Sequence, residues 1–273
     1  MRIGYKSRVT IRGEEAYLDF DFNIIPEYFR ELVETLQIKH PKNFSLARAG
    51  NVNDGGYILV NNLLNKNGIA YSFGIFNDVS FDDAIANCGY DVFMYDMTIE
   101  DLPKHRPEFH FFKEGIGGKF DPVQKLDTLD HFIKRNGHEN RRNMILKMDV
   151  EGAEYDFIEQ VDLKTLEQFD QMTFEFHDVI TVIDLERANR MISCFKKLNQ
   201  THQVIHVHGN NNGQVITYEG GIYPELLEVT FASRANYEFI DNEEIILPLP
   251  NLDSPNLPQY PEIILGNWNN RWR

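Results

Sequence analysis

One stretch, Asn143-Met144-Ile145-Leu146-Lys147-Met148-Asp149-Val150-Glu151-Gly152-Ala153-Glu154, sets the narrowest limits on what this chain can become. Its short apolar run with Lys147 embedded predicts a buried strand. Asp149 falls at the carboxyl end of that strand, and Gly152 permits a turn into a helix carrying Tyr155, Phe157 and Ile158. Open α/β sheets take their ligands at that end, which makes Asp149 a candidate for chemistry. The same pattern also suits plain helix capping by Asp149 and Glu151, because a helix amino terminus favours negative charge.

Strand and helix patterns recur before and after this stretch. Ile69-Ala70-Tyr71-Ser72-Phe73-Gly74 predicts the first core strand, followed by a turn through Asp78 and a helix bearing Phe81, Ile85 and Ala86. Gly74 lets backbone approach a ligand, while Asp78 suits a cation or a helix cap. The second strand, Asp91 to Asp96, ends in an acid about 20 residues past Gly74, the separation at which Rossmann-like folds hold a ribose hydroxyl pair. Phe109 to Glu114 predicts a third strand leading into the loop Gly115-Ile116-Gly117-Gly118, and Leu126 to Arg135 a helix. Alternating elements of this kind imply a parallel sheet. A full glycine-rich pyrophosphate cradle is missing, which argues against a nicotinamide cofactor.

Further along, Met172 to Asp178 predicts a fifth strand with Glu175 and His177 on one side, and His202 to His208 another, with its three histidines on one face. Each histidine taken singly suits a packing role as well as a chemical one. Residues 213 to 232 predict a hairpin, and Asp54-Gly55-Gly56 before Tyr57-Ile58-Leu59-Val60 predicts another. Residues 1–50 read as an amino-terminal cap with a helix from about Pro26, residues 51–246 as the main domain, and 247–273 as a Pro-rich tail whose tryptophans dock it.

Composition narrows the function classes. The 42 acidic against 27 basic residues give a formal net charge of -15, which disfavours nucleic acid and anionic membranes as partners and leaves small molecules. Cys88 and Cys194 sit in apolar helical patterns as expected of free buried thiols, so a reducing, cytoplasmic setting is expected. No stretch approaches the roughly 18 apolar residues of a membrane span.

Leu146-Lys147-Met148-Asp149-Val150-Glu151-Gly152-Ala153-Glu154-Tyr155 closely resembles the corresponding segment of FkbM-type S-adenosylmethionine-dependent methyltransferases. Asp54-Gly55-Gly56-Tyr57, Ser72-Phe73-Gly74 with Asp78, and Asp96 extend the resemblance over about residues 48 to 232. The resemblance implies an α/β, Rossmann-like class I methyltransferase: a mostly parallel seven-stranded sheet in order 3-2-1-4-5-7-6, with helices on both faces. It places the cofactor, S-adenosyl-L-methionine, along Gly74, Asp78, Asp96, Met97, Glu114, Gly115, Ile116 and Asp149.

The activity it implies is O-methylation of a sugar or other small hydroxylated or phosphorylated acceptor, in surface-glycan or secondary-metabolite biosynthesis. Methyl transfer to oxygen needs a group to take the hydroxyl proton, for which Asp149, His177 and His206 are the candidates. Glu151, Glu175, His208, Asn210 and Asn211 are expected to meet the acceptor. A divalent metal on Asp149, His177 and His206 is the alternative means of activating a hydroxyl. A nucleotide-sugar oxidoreductase and a non-catalytic glycan-binding protein are the competing classes, separated from a methyltransferase by which cofactor binds.

Overall fold

The computed structural model describes residues 4–11, 14–21, 25–63 and 67–271. Its centre is a seven-stranded sheet whose members we number in chain order: β1 (Gly68–Phe73), β2 (Tyr90–Tyr95), β3 (Phe109–Phe112), β4 (Met144–Met148), β5 (Phe169–Phe176), β6 (His202–Tyr218) and β7 (Gly221–Ser233). The spatial order is β3-β2-β1-β4-β5-β7-β6. β7 runs antiparallel to both of its neighbours, and the other six strands all run in one direction. This is the expected Rossmann-like order, reached because each buried apolar run pairs with the next through a crossover.

Alternation along the strands divides the core in two. Tyr71, Phe73, Leu146, Met148, Phe174 and Phe176 face α1 (Ile25–Thr35), α3 (Leu129–Arg135), α4 (Glu154–Gln160) and α6 (Leu185–Leu198). Ala70, Val92, Met94 and Ile145 face α2 (Ser80–Asn87) and the hairpin formed by Leu46–Ala49 and Tyr57–Val60. The Asp54-Gly55-Gly56 signal is therefore the connection of a real hairpin. Helices cover both faces, with that hairpin occupying part of the second.

Two local readings differ from the expectation. The helix expected from Leu126 begins at Leu129, because the Thr128 side chain accepts from His131 N and stops the helix there. Leu126 and Asp127 instead form a two-residue strand parallel to Gly115–Ile116, inside what the sequence marked as a glycine loop. Cys194 is buried and free, but Cys88, just past the end of α2, is only half-buried. No helix among the described residues is long and apolar enough to cross a membrane.

The segment from Leu247 onward lies against the domain. Trp268 is fully buried, donates its indole N–H to Leu36 O at 3.0 Å, and packs 6.5 Å from Tyr223. Asn269 accepts from Ile38 N and donates back to Ile38 O. Trp272 lies outside the described residues. Trp268→Ala therefore removes a large enclosed side chain and orphans a carbonyl, and is expected to cost about 3–5 kcal/mol of stability, read as a lowered urea midpoint.

Candidate functional site

A cleft of about 440 Å³ opens where the carboxyl ends of β1, β2, β4 and β5 meet. Its volume is that of a small-molecule site. Gly74 forms one corner. It has φ +76°, a β-carbon on it would stand 1.6 Å from Asp149 O, and its own carbonyl accepts from Lys147 Nζ. Glycine alone lets the turn after β1 pass this close to the end of β4. Phe76 and Glu151, at φ 47° and 56°, are non-glycine residues in the left-handed region, so backbone strain gathers on both sides of the cleft.

Asp96 lies on the cleft wall and accepts four hydrogen bonds from the protein. Its Oδ2 accepts from Ile75 N and Phe76 N, each at 2.8 Å, and its Oδ1 from Thr98 N and Oγ1 at 2.7 and 2.6 Å. Burial raises its pKa, but these hydrogen bonds outweigh it and hold the carboxyl below its ordinary range. The carboxylate thus shapes the turn after β1 as well as lining the cleft, and its removal would leave four donors short of a partner. Asp78 also lines the cleft; it accepts from Ser80 N at the start of α2 and from Asn51 Nδ2. Met97, Gly115, Ile116 and the unanticipated Leu126 supply an apolar wall, with Met97 Sδ 2.7 Å from where a Gly115 β-carbon would be. Glu114 is not on that wall, and Arg135 holds its carboxylate at 2.8 Å.

At the other end, Asp149, Glu151, Glu175 and Asn210 line the cleft together, and Asn210 donates to Glu175 Oε2 at 2.9 Å. Lys147, which the sequence offered only as part of a strand, stands 3.8 Å from Asp149 Oδ2. Among the described residues it is the one Lys or Arg on a wall carrying Asp54, Asp78, Asp96, Asp149, Glu151 and Glu175. Burial raises the pKa of Asp149 despite the opposing pull of Lys147 and His177. Burial also raises Glu175, reinforced by Asp149 and Glu228.

The histidines depart from expectation. His177 is buried just behind the wall, with Nδ1 3.0 Å from Glu154 Oε1 and Nε2 3.4 Å from both Glu151 Oε2 and Glu175 Oε1. Burial depresses its pKa, but the Glu154 hydrogen bond and the surrounding carboxylates reverse that and raise it to about 9. Such an imidazole is a cation at neutral pH and donates protons rather than accepting them, which counts against a general-base role. His206 lies away from the cleft, enclosed with Asp253 of the tail at 3.0 Å. His208 sits between Glu228 at 3.1 Å and Glu262 at 3.2 Å. His202 is not on their face: a bulge at Ile205 inverts the alternation, and His202 bonds Phe169 O instead. Asn211 holds the tail through Leu257, Tyr260 and Pro261, and its neighbour Asn212 reaches the cleft.

The set Asp149, His177 and His206 is thus not assembled around one metal. Asp149, Glu151 and His177 do offer ligand atoms within 4.8 Å of one another, as do Asp54, Glu175 and Glu228.

The buried His208 pair has a pH signature. Burial lowers its pKa, but Glu228 and Glu262 outweigh that and raise it from 6.5 to about 10. A raised histidine gives its full stabilisation below the unfolded value and loses it as pH climbs through the folded one. Stability should therefore fall between pH 6.5 and about 10, by up to about 1.4 kcal/mol per pH unit from this group. Urea unfolding across that window checks it; stability that rises there contradicts it.

Residues 20–200 match the family model described as the methyltransferase FkbM domain. No curated protein matches the chain. Among solved structures it is similar to an rRNA methylase from Streptococcus thermophilus, at 10% identity over 63% of this chain and 89% of that one, with a TM-score of 0.37. It is also similar to a putative RNA methyltransferase from Pyrococcus horikoshii, at 15% identity over 62% and 76%, TM-score 0.33. A putative methyltransferase from an antibiotic biosynthesis pathway of Anabaena variabilis follows, at 11% identity over 57% and 62%, TM-score 0.30. The family match spans more than half of the chain and contains both the Gly74–Asp96 end of the cleft and its Asp149–His177 end, and the chain therefore belongs to the FkbM methyltransferase family.

Proposed function

We propose that the protein methylates a hydroxyl of a small acceptor that bears no phosphate, a sugar or similar polyol of glycan or secondary-metabolite biosynthesis, using S-adenosylmethionine. The observation that carries this is the cleft itself, with bare backbone at Gly74 and Gly115, an apolar wall, and a carboxylate-rich interior. Those residues fit the cofactor. Met97, Ile116 and Leu126 suit an adenine, Asp96 and the turn after β1 suit its ribose, and Asp149 and Glu175 suit a cationic sulfur. S-adenosylmethionine supplies an electrophilic methyl group.

What remains falls to the chain. Asp149 and Glu175, held in a buried site beside Lys147 and His177, orient the acceptor hydroxyl and take up its proton. The same excess of carboxylates repels phosphate and disfavours nucleic acid. The test is release of adenosylhomocysteine across a panel of sugars, polyols and their phosphates. Turnover with an unphosphorylated member supports the reading, and turnover confined to phosphorylated members or to RNA overturns its acceptor class.

A second reading rests on Asp149, Glu151 and His177, whose converging atoms suit a divalent cation that would acidify the hydroxyl. Metal analysis of the purified protein, with activity before and after chelation, decides between them.

A further inference from the structure

Glu154 is the least exposed ionisable residue near the cleft, at 0%. Its Oε1 gathers three donors from two different strand ends. Val150 N at 3.1 Å and Gly152 N at 3.2 Å come from the turn after β4, and His177 Nδ1 at 3.0 Å comes from the end of β5. The first two bonds brace the turn before α4, whose N-cap Ala153 has no side-chain cap of its own. Bracing that turn needs no histidine. The third bond fixes the imidazole ring, and with Nδ1 committed to Glu154, Nε2 must point the other way. There it meets Glu151 Oε2 and Glu175 Oε1, each at 3.4 Å, both on carboxylates of the cleft wall.

We propose that Glu154 is a positioning residue: through His177 it sets where the Glu151 and Glu175 carboxylates stand, and so couples the β4 turn to the acceptor end of the cleft. The inference rests on the methyl-transfer reading for its consequence but not for its geometry. Leaving Oε2 of so enclosed a carboxylate without a hydrogen-bond partner carries a desolvation cost that bracing the turn alone does not require. Tyr155, the next residue, donates its hydroxyl to His177 O at 3.1 Å, so α4 grips both the ring and the backbone of His177. The arrangement has the form of an outer carboxylate that orients an imidazole; behind metal-bound histidines the loss of such a carboxylate lowers activity about 10- to 100-fold, and an effect of that order is expected here.

A double-mutant cycle separates positioning from simple support of the fold. Glu154→Ala should lower kcat about 10- to 100-fold with the acceptor's KM and the adenosylhomocysteine affinity little changed. Glu154→Gln keeps an oxygen for the two amides and for Nδ1–H, and should recover most of that loss. In a His177→Gln background, Glu154→Ala should cost nothing further. A loss of equal size in both backgrounds, or a Glu154→Gln variant as slow as Glu154→Ala, overturns the proposal.

A second measurement covers the case in which Glu154→Ala fails to fold. Nitrogen-15 spectra of the wild-type protein should show a His177 Nδ1 proton protected from exchange, identified by its absence in His177→Gln. No protected ring proton in the folded wild type overturns the proposal without recourse to any Glu154 variant. This spectrum needs no turnover, so an inactive wild type would count against methyl transfer while leaving the Glu154–His177 assignment to be judged separately.

Discussion

Gly74→Ala should abolish cofactor binding and destabilise the fold by about 3 kcal/mol or more. Two costs add. At φ +76° an alanine is strained, by roughly 1–2 kcal/mol for a residue forced into left-handed backbone, and its methyl group would stand 1.6 Å from Asp149 O. Backbone cannot yield by that much without parting the turn after β1 from the end of β4. Parting them breaks the Lys147 bond to Gly74 O and the Gly74 N–Tyr95 O bond of 3.1 Å, and displaces the Ile75 and Phe76 amides that Asp96 holds. Thermal melting and cofactor calorimetry on the same sample check both halves. A variant that binds cofactor normally would mean that the turn does not shape the site.

Asp149→Asn should lower turnover by roughly 10²- to 10⁴-fold, the range expected when a proton acceptor is removed. The substitution keeps shape and volume, and the backbone bond from Asp149 N to Phe73 O is untouched, so the fold should persist. Lys147 then loses the carboxylate 3.8 Å away and keeps its bond to Gly74 O. Adenosylhomocysteine, which has no sulfonium charge, should bind within a few-fold of wild type, whereas the charged cofactor should bind more weakly. Single-turnover rates beside both affinities test this, and an Asn variant with a wild-type rate removes Asp149 from the chemistry.

The sheet was legible in the sequence because its strands are short apolar runs separated by helices of clear period, and burial on both faces leaves little freedom of register. The strand ends were legible for the same reason: Gly74, Asp96 and Asp149 each immediately follow such a run, Glu175 is the last residue but one of β5, and all four line the cleft. What failed depended on long-range packing or on local irregularity. The bulge at Ile205 changes which histidines share a face, and nothing in His202 to His208 marks it. Asp253 and Glu262, which claim His206 and His208, lie 47 and 54 residues further along the chain. The Asn210–Val215 register shift likewise sends Asn211 to the tail and Asn212 to the cleft.

One further signal is present in the sequence. Thr128 before an apolar run marks a helix start, and here ends the claim of Leu126 to that helix.

The central claim, that this cleft receives a sulfur nucleoside, is tested most directly by calorimetry of the purified wild-type protein with adenosylhomocysteine, S-adenosylmethionine and NADH in turn. Saturable binding of both sulfur nucleosides with micromolar affinity, and none of NADH, is the predicted result; binding of NADH with neither sulfur nucleoside would contradict it.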